Sequence, residues 1–223
     1  MSEITLVIGH KRTSPWSLRP WLFLQHHGVS FREVVVNQEL PGAQANIARY
    51  SPSGRLPVML CNEFAVWESL AICEFAAEWF ALPAAWPMAP AARAMARSIC
   101  HEMQSGFGHL RRELSFDAAR APLSAAPLSV AAQTEVARVR NVWRGARARF
   151  GMHGDWLFGQ FGIADAMFAP LALRFHQYAL PLDGPEREYV SQVLDHHAVQ
   201  AWMDNVAHAG VNERSVGAAA RSE

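Results

Sequence analysis

The first eighty residues switch between two hydrophobic periods. Ile4 to Ile8 is a short apolar run closed by Gly9, and Phe31 to Val36 is another, rich in the β-branched residues that suit a pleated surface; both predict strands. Between them Leu18, Trp21, Leu22 and Leu24 recur at helical spacing from Ser17 to His27, and Gly28 supplies a natural helix end. Pro20 fits such a helix in its first turn, where a missing N–H costs nothing, which puts the start near Trp16 or Ser17. A helix of this length between two strands predicts a right-handed βαβ unit with parallel strands. Val58 to Leu60 and Phe64 to Val66, separated by the polar Cys61-Asn62-Glu63, predict a tight hairpin, and Ser69 to Phe80 a helix with Leu70, Ile72, Cys73, Ala76 and Ala77 available for its inner face.

That order, βαβ followed by ββα, is the order of a thioredoxin-like fold. Residues 81–91 hold three prolines and break every periodic pattern, which marks a linker. Beyond it the strand signals vanish. Ala92 to Leu114 and Val130 to Phe150 are long helical stretches separated by an Ala/Pro/Ser segment from Asp117 to Ser129, and Ile163 to Gln177 and His197 to His208 predict further helices. The expected architecture is an α/β domain (1–80) joined by the 81–91 linker to an all-α domain (92–210), with a loose tail at 211–223.

Composition narrows the partners more than the fold. Twenty basic residues balance twenty acidic ones, so the footprint of a nucleic-acid or anionic-membrane binder is missing and a small ligand is expected. No apolar run approaches the ~20 residues that span a bilayer, and the amino end is acidic and then strand-like rather than built as a secretory signal. The three cysteines, Cys61, Cys73 and Cys100, are odd in number and lack Cys-x-x-Cys spacing, which disfavours a disulfide framework or zinc ribbon and fits a reducing cytoplasm. His26-His27 and His196-His197 are sequential neighbours that a helix points in different directions, so no metal site is expected.

Three segments carry candidate chemistry. Lys11 to Arg19 lies between the first strand and first helix, at the carboxyl end of a strand where α/β sheets bind ligands. A hydroxyl there, beside a helix N-terminus, can donate to a bound sulfur and favour thiolate; Ser14 or Ser17 can equally cap the helix. In Ser51-Pro52-Ser53-Gly54-Arg55-Leu56-Pro57-Val58, a proline directly before an apolar strand fits a cis peptide that turns backbone groups outward to pair with an extended peptide, or simply an edge-strand start. In Val66 to Ile72, free N–H groups with the Ser69 hydroxyl make a carboxylate site while Glu68 supplies the partner for an ammonium; a capping box would look the same.

These three features in this order, within about sixty residues, resemble the N-terminal domain of the glutathione transferase family, in which a second, all-helical domain follows. The resemblance implies that Pro57 is cis, that Leu56 pairs with the cysteinyl backbone of glutathione, and that Glu68 and Ser69 hold its γ-glutamyl end. It places Gln38 and Arg55 near the glycyl end. Serine-type members carry the catalytic hydroxyl just before a Pro-aromatic or similar dipeptide, which selects Ser14 and leaves Ser17 as cap or support, although Thr13 and Ser17 are close enough to compete. Trp16 facing a helix with Met103, Phe107 and Arg111 is expected to form the electrophile pocket; Met103 and Phe107 at helical spacing can also be plain core. Phe161-Gly162-Ile163-Ala164-Asp165-Ala166 resembles the family's capping motif, with Gly162 where Ser or Thr is usual, making Asp165 structural.

The resemblance implies a homodimeric transferase using glutathione as co-substrate, without metal, on small and largely apolar electrophiles. Two alternatives share the fold. Maleylacetoacetate isomerases have Ser-Ser-Cys-Ser where this chain has Ser14-Pro15-Trp16-Ser17, with a shared Ser-x-Arg ending at Arg19. Non-catalytic relatives use the fold as an interaction module. Catalytic-cysteine chemistry is disfavoured, because no cysteine precedes Cys61.

Overall fold

The computed structural model describes residues 4–123 and 127–219. The acidic start, the middle of the Ala/Pro/Ser segment (124–126) and the end of the expected tail (220–223) lie outside the described residues. The N-terminal part runs β1 (Ile4–Gly9), α1 (Pro15–His26), β2 (Arg32–Val36), α2 (Ala43–Ala48), β3 (Val58–Cys61), β4 (Phe64–Trp67) and α3 (Ser69–Trp79). Its sheet has the order β2-β1-β3-β4, with β1 parallel to β2 and antiparallel to β3, and β3 antiparallel to β4. Helices follow: α4 (Pro90–Ser105), α5 (Gly108–Glu113), α6 (Val130–Phe150), α7 (Ile163–Gln177), α8 (Gly184–Leu194) and α9 (His197–Ala219). The architecture is a thioredoxin-like α/β unit followed by an all-helical part.

The sheet divides two apolar layers. Val7, Val36, Ile47 and Val58 pack α2 on one face, while Leu6 and Ile8 face the other, where a single core runs through Leu22 of α1 and Ile72 of α3 into α7 and on to Trp202 of α9. Helix α7 is the hub. Thirteen consecutive residues, Ile163 to Phe175, are buried, so it reads as apolar all round.

Three expectations need correction, and two helices come in addition. Helix α1 starts at Pro15, which takes the first helical position that suits proline, so Pro20 sits in the second turn rather than the first. The expected helix Ala92 to Leu114 breaks after Ser105: a β-carbon on Gly106 would lie 2.7 Å from the Glu102 carbonyl, and Phe107 adopts left-handed φ of 59°. The short helices α2 and α8 have too few apolar positions to stand out by period. Helix α9 continues to Ala219, over residues expected as tail.

Candidate functional site

The turn after β1 is built around two serines. Ser14 is the N-cap of α1; its Oγ accepts from the Ser17 amide at 3.4 Å and donates to Ser17 Oγ at 2.8 Å. Ser17 Oγ in turn accepts from the Gly9 amide at 3.0 Å, tying the helix to the strand end. Thus Ser14, not Ser17, is the cap. A β-carbon on Gly9 would meet Gln38 Oε1 at 2.9 Å and Ser14 Oγ at 3.0 Å, so Gln38 closes over this turn and only glycine leaves room.

The second segment folds back through Gly54, at φ 66°, with Ser51 Oγ accepting from the Arg55 amide at 3.3 Å. The Leu56–Pro57 peptide is cis. At the third segment Glu68 adopts φ 72° and ψ 131° immediately before α3, a left-handed kink that non-glycine residues rarely take. Ser69 Oγ donates to the Trp16 carbonyl at 2.8 Å. That carbonyl is free because Pro20, four residues on, has no N–H to close the helical bond, so the misplaced proline provides the acceptor that joins α1 to α3.

These pieces enclose a pocket of about 500 Å³ lined by Trp16, Ser53, Arg55, Leu56, Pro57, Glu68, Ser69 and Gln104. Of the residues predicted from sequence, Trp16, Arg55, Leu56, Pro57, Glu68 and Ser69 meet here. Ser14 and Gln38 do not line it. Ser14 is 7% exposed and its hydroxyl proton is engaged by Ser17. Met103 and Phe107 are core residues, as their spacing alone would suggest, and Phe107 lies beyond the break in the helix.

Arg111 does reach the site: its guanidinium lies 5.3 Å over the Trp16 ring, with Arg19 at 4.1 Å from the same ring. Burial, followed by the charges of Arg174 and Arg111, lowers Arg19 to about 9. Arg174 falls to about 10 by burial and the Arg111 charge. Arg19 Nε and Nη1 and Arg174 Nη1 are buried without a hydrogen-bond partner. Arg19 and Arg111 thus share the Trp16 ring, while Arg174 donates to the Leu114 carbonyl and lies over Phe116.

Two groups escaped the sequence. Gln104 in the last turn of α4 joins the pocket wall, where its Nε2 donates to Glu68 Oε2 at 3.3 Å. Arg19 and Arg174 are polar residues inside apolar helices, a pattern that could have flagged them. Nothing in the sequence around Gln104 distinguishes it from a surface glutamine. Among the described residues no cluster of three or more His, Cys, Asp or Glu could hold a metal ion.

At the start of α7, Asp165 accepts from the Leu157 amide at 3.1 Å and the Gly162 amide at 3.0 Å, while burial pushes its carboxyl up to about 7. Gly162 replaces a side-chain cap for a steric reason. A β-carbon there would lie 2.9 Å from the Ala84 carbonyl and 3.0 Å from that of Ala85, which accepts from the Ile163 amide at 3.0 Å.

A mixed sheet of this order, a cis-proline before β3 and a kinked Glu-Ser at the start of α3 define a thioredoxin-like fold with an appended helical part. Residues 13–79 match the family model of the glutathione S-transferase N-terminal domain. Among solved structures, a glutathione transferase homolog from Burkholderia gl BGR1 with bound glutathione is 22% identical, with TM-score 0.67 over 91% of this chain and 97% of that one. Ure2p in complex with S-hexylglutathione is 20% identical, with TM-score 0.70 over 90% and 98% of the two chains. The Tau class glutathione S-transferase of mango, Mangifera indica L., is 17% identical, with TM-score 0.68 over 90% and 92%. At these identities the likeness is one of fold.

Proposed function

We propose that this chain is a glutathione transferase; the observation that carries the reading is the common pocket wall formed by Leu56, cis-Pro57, Glu68 and Ser69. Outward backbone groups at Leu56 pair with the cysteinyl residue of glutathione, as an added strand would. The N-terminus of α3 with the Ser69 hydroxyl receives the γ-glutamyl carboxylate, Glu68 the ammonium, and Arg55 the glycyl carboxylate. Gln38 acts at one remove, through the Gly9–Ser14 turn. The bound thiol loses its proton to solvent, and the thiolate attacks an electrophilic carbon held against Trp16 and Arg111; a C–S bond forms and the leaving group departs with its electron pair. Ser14 is the proposed thiolate stabiliser at the α1 N-terminus, a role in which its hydroxyl turns from Ser17 to the sulfur.

The fold divides into a glutathione-binding domain and a helical domain at the segment between Trp79 and Pro90. Solvent-exposed Phe64, edge-on to Phe75 at 5.3 Å, and Trp79, stacked on Phe75 at 5.4 Å, form the contact of a homodimer. Three buried, free cysteines suit a reducing cytoplasm. Titration with glutathione and a conjugation assay on a generic aryl halide test the proposal in native protein and Ser14→Ala. Retained binding with turnover reduced roughly a hundredfold or more in the variant is expected. Absence of glutathione binding by native protein would overturn the function, and full activity in Ser14→Ala would overturn the role of Ser14.

The Arg111 guanidinium beside the Trp16 ring favours one second reading, a glutathione-dependent isomerase acting on a maleyl-type diacid. Glutathione would add to the double bond and be eliminated after rotation, so it would not be consumed. Cis–trans conversion at constant glutathione separates this reading from conjugation.

A further inference from the structure

We infer that Asp117 is a positioning residue for the turn that carries Ser14: through a bidentate ion pair with Arg12 it holds that turn where the Ser14 hydroxyl can meet a bound sulfur. This rests on the proposed role of Ser14 and deepens it. Arg12 Nε donates to Asp117 Oδ1 at 2.8 Å and Nη2 to Oδ2 at 2.9 Å, joining segments 105 positions apart in the chain. Beside the pair, the Ala118 amide donates to the Arg12 carbonyl at 2.8 Å, so one short segment grips both the side chain and the backbone of Arg12. Ser14 lies two residues on. The turn between is tied together, because the Thr13 and Ser14 amides both donate to the His10 carbonyl, at 3.1 and 3.0 Å. A shift of Arg12 is therefore passed to Ser14.

The gripping segment is itself fixed to the end of α7. Arg174 Nε donates to the Leu114 carbonyl at 2.7 Å, Tyr178 Oη to the Ser115 carbonyl at 3.2 Å and Gln177 Nε2 to the Asp117 carbonyl at 2.9 Å. Arg174 and Gln177 are buried polar residues in an apolar helix, and tying residues 114–117 to the core gives both a use. Asp117 Oδ1 also accepts from the Ala119 amide at 2.9 Å, which aims the carboxylate. The hydrogen bonds from Arg12 hold this carboxyl below its usual range, so it stays charged at any pH where a thiol ionises. On its other side the turn has separate anchors at Lys11, whose carbonyl accepts from Trp202 Nε1 at 3.1 Å and whose ammonium pairs with Glu33 at 2.9 Å. Loss of the Arg12 pair thus loosens the turn without releasing α1. Neither Arg12 nor Asp117 lines the pocket proposed for glutathione, so the effect falls on thiol ionisation and not on binding.

The test is the ionisation of bound glutathione, followed by the ultraviolet absorbance of its thiolate as pH rises, with affinity by calorimetry, in native protein, Asp117→Asn, Arg12→Lys, Ser14→Ala and Ser14→Ala/Asp117→Asn. The sign is diagnostic. Removing the Asp117 charge, if it acted only through space, would favour the thiolate and lower the ionisation pH, whereas lost positioning raises it. Asp117→Asn should raise it by about half a pH unit and cut turnover roughly threefold below that pH, with affinity within about twofold of native. Arg12→Lys keeps the charge, loses the two-pronged contact and should do the same. Ser14→Ala should raise the value by more, and adding Asp117→Asn to it should change nothing further. An unchanged or lowered value in Asp117→Asn would overturn the inference, as would an additive shift in the double variant or a loss of affinity that accounts for the whole loss of turnover. If Ser14→Ala leaves the ionisation unchanged, the role of Ser14 falls and the inference with it, while glutathione binding stands. If native protein binds no glutathione, all three fall. Should Asp117→Asn fail to fold, Arg12→Lys tests the same contact from the other side.

Discussion

Acidification should weaken the contact between the α1 end and the α8–α9 junction, because a pair of imidazoles there has no room for another proton. The Ala198 amide donates to His196 Nδ1 at 3.2 Å, so His196 carries its proton on Nε2 and donates it to His26 Nδ1 at 2.9 Å. His26 must then be protonated on Nε2. A further proton on either ring lands on a nitrogen that is already accepting. Both rings also pack on Phe161, at 4.1 and 4.8 Å. Burial, with the neighbouring charges of His27 and His197 for His26, and of His197 and His26 for His196, lowers both from 6.5 to about 4. A depressed folded value means that stability is full above the unfolded value near 6.5 and is lost as pH falls toward 4. At pH 5 each group would cost about 2 kcal/mol at most, and since His26 is only half-buried, screening brings the pair to about 2 kcal/mol in all. Asp165, raised from 3.8 to about 7, works the other way: its contribution is full below 3.8 and is lost as pH rises through about 7. The native curve alone is therefore ambiguous. Urea unfolding of native protein and a His26→Leu/His196→Leu variant at pH 5, 6 and 7.5 removes the Asp165 effect in the difference. The native-minus-variant stability should drop by about 2 kcal/mol from pH 7.5 to 5. A difference independent of pH would refute the reasoning.

Ser17→Ala should destabilise more than Ser14→Ala, by thermal melts followed by circular dichroism. The first leaves the Gly9 amide and the Ser14 hydroxyl unpaired in a buried turn, costing about 2–3 kcal/mol, and the second removes a helix cap worth about 1 kcal/mol. The reverse order would mean that Ser14 rather than Ser17 anchors the turn. Trp79→Lys, on the exposed aromatic patch, should convert a dimer to monomer in sedimentation velocity without loss of helicity; an unchanged dimer would place the subunit contact elsewhere.

Much of the α/β unit was legible because its signals are local. The strands around Ile4–Ile8 and Phe31–Val36, the helix ending before Gly28 and the proline at β3 each rest on a few adjacent residues whose backbone preferences are strong. The helical part was legible in outline only. Helices α6 and α7 stand at the expected bounds, whereas the break at Gly106 depends on what a β-carbon would strike. Six of the expected site residues share a pocket because loop ends at one edge of a sheet converge whatever the helices do. Met103 and Gln104 required the rotation of α4 about its axis, which a period of 3.6 leaves open by one residue either way, and Phe107 required the break that ends α4. That one residue separates a core methionine from a glutamine on the pocket wall.

Pro20 shows why fold and site cannot be assigned separately here. As a helix residue it breaks a rule, since a second-turn proline removes a hydrogen bond and leaves a carbonyl without its partner. In this chain the orphaned atom is the Trp16 carbonyl, and the Ser69 hydroxyl satisfies it at 2.8 Å. The same contact fixes the residue beside Glu68 and sets the face of Trp16 against Arg19 and Arg111. Restoring a helical donor at residue 20 would therefore compete with Ser69 for one acceptor and loosen α3 from α1 where the pocket forms. A substitution chosen to repair the helix would act on the ligand site, and the apparent flaw in α1 is part of how the pocket is held.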